Sequence, residues 1–115
     1  MTTFTLYHNP RCSKSREALA LLEARRVVVN VHRYLDTPLD ITHLRGLAQR
    51  LEGGAPALIR TNEAQWTALA LQDPSDEERL QAIADYPRLM QRPILDDGTH
   101  ARIGRPPEAL LDLIE

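Results

Sequence analysis

Cysteine is all but missing from this chain: Cys12 is the only one in 115 residues. A lone thiol excludes an internal disulfide, and a reducing compartment, the cytoplasm, is the expected location. The histidines at 8, 32, 43 and 100 share no metal-ligand spacing, so no zinc or other metal site is expected. No uncharged apolar run is long enough for a membrane span, and the N-terminus lacks the basic-then-apolar pattern of a secretory signal. An excess of one charge is lacking too. Fourteen Lys and Arg against 16 Asp and Glu leave a net charge of −2, with no overall pull toward nucleic acid or anionic membrane. Any preference for anions must be local. No repeat, low-complexity tract or linker divides residues 1–115, and 43% hydrophobic content suits one domain with a modest core. A monomer is expected.

What is present is a clear order of periodicities. A short β-type run over 3–8 leads to a helical pattern from Cys12 to Arg26, with Ser15, Ala18, Leu19 and Leu22 on one face. Val27 to Val31 is β-branched and reads as a second strand, which makes a right-handed βαβ unit with parallel strands. Thr37-Pro38-Leu39-Asp40 predicts a helix start with Thr37 as cap, and Gly53-Gly54 predicts its stop. A mostly helical middle follows, with a short helix near Glu63 to Leu69. Another helix is capped by Ser75 and Glu78 and ended by Pro87. Pro93 to Leu95 and Ala101 to Ile103 flank the turn signal Asp97-Gly98 and predict an antiparallel hairpin before a closing helix. The sum is α/β: a thioredoxin-like βαβ-ββα order with a helical insertion between the halves. Trp66 and Tyr86 read as core or half-buried packing.

Cys12 stands where the first strand hands over to the first helix, within His8-Asn9-Pro10-Arg11-Cys12-Ser13-Lys14-Ser15-Arg16. Helix-start N–H groups and nearby cations favour a thiolate, the reactive form. His8 could lower the thiol pKa as imidazolium or orient the loop by a hydrogen bond. Asn9 suits bonding to the loop backbone, and Ser15 can bond either the thiolate or its own helix's first turn. Arg92 and Arg105 lie at junctions fixed by Pro or Gly, and Arg60 follows an apolar helical run. In a thioredoxin-like order the X-Pro bond before the third strand faces the cysteine loop, so Pro93 is a candidate for a structural cis proline. Guanidinium groups converging on a thiolate would bind a tetrahedral oxyanion through paired hydrogen bonds. Arg60 could instead serve as a helix-end charge. Arg102 reads as surface. Glu77, Glu78, Asp96 and Asp97 read as helix-start and turn chemistry.

Three segments together resemble the glutaredoxin-coupled arsenate reductase (ArsC-like) family: Tyr7 to Cys12 with Ser15-Arg16, Leu58-Ile59-Arg60 onward to about Leu71, and Arg92-Pro93-Ile94 with Gly98-Thr99 and Arg102 to Pro106. The resemblance runs nearly end to end. It implies that Cys12 is the nucleophile, that His8 assists it, and that Arg60, Arg92 and Arg105 bind the oxyanion. It further implies a Cys12 thioarsenate resolved by glutathione as co-substrate, with glutaredoxin as partner and no bound cofactor. The single cysteine fits, because the resolving thiol must come from outside. Ser13-Lys14-Ser15 departs from the Gly-Thr-Ser of well-studied arsenate reductases, and the C-terminus is shorter; Cys-Ser-Lys-Ser resembles a housekeeping branch. Two other functions compete. A regulator of the Spx type, binding RNA polymerase, would use Cys-x-x-Cys as its switch, and Ser15 replaces the second cysteine. A glutaredoxin-like protein-thiol oxidoreductase would leave the arginines without a task.

Overall fold

A computed structural model describes residues 3–114. Strand β1 (Phe4–Tyr7) leads into helix α1 (Ser13–Ala24) and strand β2 (Val29–His32). Four helices follow: α2 (Ile41–Arg50), α3 (Gly54–Leu58), α4 (Ala64–Leu69) and α5 (Asp76–Asp85). A short 3-10 helix (Pro87–Leu89), strands β3 (Ile94–Asp96) and β4 (Ala101–Ile103), a second 3-10 helix (Pro107–Leu110) and α6 (Leu111–Ile114) complete the order. The sheet runs β2-β1-β3-β4, with β1 parallel to β2 and antiparallel to β3, and β4 antiparallel to β3. The expected α/β order with its helical insertion is therefore present.

Alternation along the strands builds two cores, one on each face of the sheet. Leu6 pairs with Leu95 on one face and packs against Ala18, Leu22 and Leu110. Tyr7 pairs with Ile94 on the other and joins Leu44, Leu47, Leu58, Ile83, Leu89 and Met90. Burying a Leu or Ile side chain contributes about 1.5–3 kcal/mol, so these two clusters fix the strand register. A one-residue slip would exchange the two sets between the faces and lose both packings.

Several local expectations are corrected. Strand β2 starts at Val29 rather than Val27, because Arg26 turns left-handed (φ +59°) and Val27 N–H donates back to Leu22 O at 2.9 Å. Helix α2 is capped by Asp40, whose side chain accepts from His43 N–H at 2.8 Å. Thr37 lies three residues before that cap, in a turn that its N–H closes on Arg33 O at 2.9 Å. Gly54 opens α3 instead of ending α2. Gly53 makes that re-entry possible at φ +90°, and a Cβ there would stand 2.8 Å from Ala57 Cβ. Pro87 begins a 3-10 helix. The capping box of Ser75 and Glu78 forms as expected, with N–H···O distances of 3.0 and 3.1 Å. Tyr86 is 39% exposed, whereas Trp66 packs half-buried against the core.

Two polar arrangements were not legible in the sequence. Asp96 is buried and accepts from Arg50 Nε and Nη2 at 3.0 and 2.6 Å, so it does more than shape the turn. His32 and His43, which look scattered, meet around Tyr7 with ring centroids 5.4 to 6.2 Å apart. Among the described residues no helix is long and apolar enough to cross a membrane.

Candidate active site

The end of β1 delivers the chain into a tight loop that closes on itself. Cys12 N–H donates to Asn9 O at 3.0 Å, Arg11 N–H to Asn9 Oδ1 at 3.0 Å, and Arg16 Nη1 to Pro10 O at 3.0 Å. Asn9 N–H donates to the fully buried Ser15 Oγ at 3.3 Å. Cys12 is the N-cap of α1 in extended conformation, which leaves the first N–H groups of the helix facing its sulfur. Burial pushes its thiol pKa up. The N–H groups of Ser15 and Lys14, the charge of Arg92 and the Ser15 hydroxyl outweigh that and bring it below the ordinary thiol value. Ser15 thus serves both the loop and the sulfur.

Two arginines approach from the hairpin half of the chain. Arg105 Nη2 lies 3.8 Å from Cys12 Sγ, and Arg105 Nε donates to Arg92 O at 2.9 Å. Both precede cis prolines, at Arg92–Pro93 and Arg105–Pro106; only Pro93 had been singled out. Gly104 brings the two segments together. Its N–H donates to Pro93 O at 2.9 Å, and a Cβ would stand 2.9 Å from Pro93 Cγ and 3.0 Å from Leu110 Cγ. Arg92 Nε and Nη1 are buried with no hydrogen-bond partner among the described residues. Leaving such groups unpaired costs about 1–3 kcal/mol each, and more when charged.

Arg60 enters from the segment after α3, where Arg60 N–H donates to Leu89 O at 2.7 Å. It pairs with Glu63 Oε1 and shares a cavity of about 90 Å³ with Arg92, Asn9 and Tyr34. Burial, and the charges of Arg92 and Arg105, lower the Arg60 pKa, opposed by Glu63. So three arginines far apart in the chain are close enough to oppose one another's charge. Arg60 is not simply a helix-end charge.

His8 is 5% exposed, and its Nδ1 is buried without a partner among the described residues. Burial, and then the charges of Arg33 and Arg16, lower its pKa and disfavour the imidazolium form. Its backbone N–H donates to His32 O at 2.9 Å, tying the loop to β2. Arg102 pairs with Asp112 at 3.4 Å, away from the thiol.

Tyr34, Glu63 and Arg88, which the sequence did not single out, also line the 90 Å³ cavity. Tyr34 is 1% exposed; burial first, with the Cys12 thiolate adding to it and the Arg92 charge opposing it, raises its hydroxyl to about 12, so it remains a phenol. Parallel pairing of β1 and β2 was the available signal. Residues just past the ends of two parallel neighbours lie side by side, which puts Tyr34 beside the Cys12 loop. Among the described residues no cluster of His, Cys, Asp and Glu could hold a metal ion.

The model of the ArsC family matches residues 7–113. YfgD, an uncharacterized protein of Escherichia coli, is 46% identical over 112 residues, covering 95% of this chain and 94% of that protein. An arsenate reductase of Neisseria meningitidis serogroup A is 40% identical over 111 residues, covering 94% and 95%. The solved structure of an arsenate reductase from Vibrio cholerae superposes with a TM-score of 0.90 at 38% identity, covering 96% of this chain and 97% of that one. With the match running from the end of β1 to the last helix, the chain belongs to the ArsC family.

Proposed function

We propose that this chain reduces arsenate to arsenite, with Cys12 as nucleophile and Arg60, Arg92 and Arg105 as oxyanion ligands. The observation that carries the reading is Arg92, whose Nε and Nη1 are buried without a partner among the described residues and whose charge lowers the Cys12 pKa. Such a group is stabilised when a ligand oxygen arrives to accept from it. The relatives named arsenate reductase supply the identity of the oxyanion.

The Cys12 thiolate attacks arsenic. An As–O bond breaks, and the two protons of the dihydrogen arsenate anion leave with that oxygen as water. Arg92 and Arg105 hold the remaining charge as it develops. A glutathione thiolate then attacks the Cys12 sulfur. The S–As electron pair passes to arsenic, As(V) becomes As(III), and arsenite leaves a Cys12–glutathione disulfide. Two thiols have supplied the two electrons. Glutaredoxin with further glutathione restores the thiol, since the chain has no second cysteine. A thiol that must return to the reduced state suits the cytoplasm.

A coupled assay with glutathione, glutaredoxin, glutathione reductase and NADPH tests the reading. Arsenate-dependent NADPH oxidation is expected for the wild-type protein and none for Cys12→Ser. Background rates for the wild type would refute it.

A further inference from the structure

The 90 Å³ cavity, which Asn9 of the Cys12 loop lines together with Arg92, holds a group that a plain anion trap would avoid. Among Arg60, Arg88 and Arg92 its wall carries one carboxylate, Glu63. Glu63 and Arg60 are only 22% and 18% exposed, so their charges are weakly screened. The Glu63 backbone is fixed at the start of α4: its carbonyl accepts from Trp66 N–H at 3.1 Å and Thr67 N–H at 3.3 Å. Its Oε1 accepts from Arg60 Nη1, while Oε2 takes no hydrogen bond among the described residues. Toward a ligand an ionised carboxylate can only accept.

We propose that Glu63 makes this site selective for an oxyanion that still carries a proton, accepting a hydrogen bond from its hydroxyl through Oε2 while Arg60 and Arg92 bind the deprotonated oxygens. This rests on the oxyanion reading of the Cys12 site and adds to it the protonation state of the substrate. Arsenate and phosphate carry at least one proton near neutral pH and satisfy both kinds of partner. Sulfate carries none, so one of its oxygens would face the Glu63 carboxylate as charge against like charge. Selectivity here comes from the repulsive element as much as from the arginines. The same preference suits the chemistry, because the protons the site demands are those that leave with the departing oxygen. Glu63 is a specificity residue in this role, held by its pairing with Arg60.

Protection of Cys12 from iodoacetamide tests this without turnover. Inorganic phosphate and sulfate, at matched ionic strength near neutral pH, serve as probes. For the wild-type protein, half-protection should need about tenfold more sulfate than phosphate, and Glu63→Gln, whose amide can donate, should bring the two within about twofold. The wild-type ratio needs no variant, so misfolding of Glu63→Gln cannot hide the answer. Equal protection by both anions in the wild type, or an unchanged ratio in Glu63→Gln, overturns the assignment of Glu63 alone. Failure of phosphate, sulfate and arsenate alike to protect Cys12 overturns the oxyanion site, and this inference with it.

Discussion

Replacing Arg92 by Met separates function from stability in a single variant. The aliphatic stem is kept and the guanidinium is lost. Arg92 Nε and Nη1 are both buried and unpartnered in the free protein, so each is expected to gain a charge-assisted hydrogen bond only when an oxyanion binds. At about 1.5 kcal/mol each, the lower end of the usual range, the two amount to about 3 kcal/mol, or about 100-fold in kcat/KM for arsenate. The Cys12 thiol also loses one of the influences that lower its pKa, which adds to the defect near neutral pH. Stability should move the other way. Removing unpaired buried donors relieves a desolvation penalty of about 1–3 kcal/mol, so the urea midpoint should hold or rise. Urea denaturation and the coupled arsenate assay on one preparation give both numbers. A variant that loses about 2–5 kcal/mol, as a truncated core residue does, yet keeps its kcat/KM within about twofold, would refute the reasoning.

Other substitutions and pH changes probe the supporting structure. Alkylation rate against pH should place the Cys12 midpoint below the free-thiol value of about 8.5, and Ser15→Ala should move it upward by removing the hydroxyl; a wild-type midpoint at the free value contradicts the thiolate address. Gly104→Ala should cost about 1–3 kcal/mol by overpacking against Pro93 and Leu110 and should lower activity by displacing Arg105, checked by melting and the coupled assay. His8 has a lowered folded pKa, so the unfolded chain binds the extra proton; its contribution is complete above the unfolded value of about 6.5 and is lost as pH falls through that value toward the folded one. The urea midpoint should therefore fall on acidification, and His8→Gln should flatten that limb.

The parts of the fold that could be read from sequence are those set by local periodicity. The β1–α1–β2 unit, the Ser75–Glu78 capping box and the β3–β4 hairpin depend on residues within a few positions of each other. Misreadings arose where two local signals competed. Thr37 and Asp40 both look like caps, and burial of Leu39 at 6% exposure gives the position to Asp40. Gly53-Gly54 looks like a stop, but its left-handed backbone also redirects the chain into α3. At the site, Cys12 was legible because a helix start states its own electrostatics. Arg92 and Arg105 were legible because Pro and Gly mark their junctions. Glu63 and Arg88 carry no such mark, and only the packing of α4 and the turn after α5 brings them to the cavity, whereas Tyr34 arrives through the β1–β2 pairing. Likewise the charge of His8 follows from its burial and from Arg33, 25 positions away in sequence.

The most direct test of Cys12 as the electron-donating nucleophile is a single turnover without glutaredoxin, followed by intact mass and arsenite measurement. Protein, arsenate and a stoichiometric amount of glutathione should give one arsenite and one glutathione adduct per chain. The adduct can only be on Cys12, the sole cysteine, and should be absent when arsenate is omitted. Arsenite formed with no adduct, or an adduct formed equally without arsenate, would contradict it.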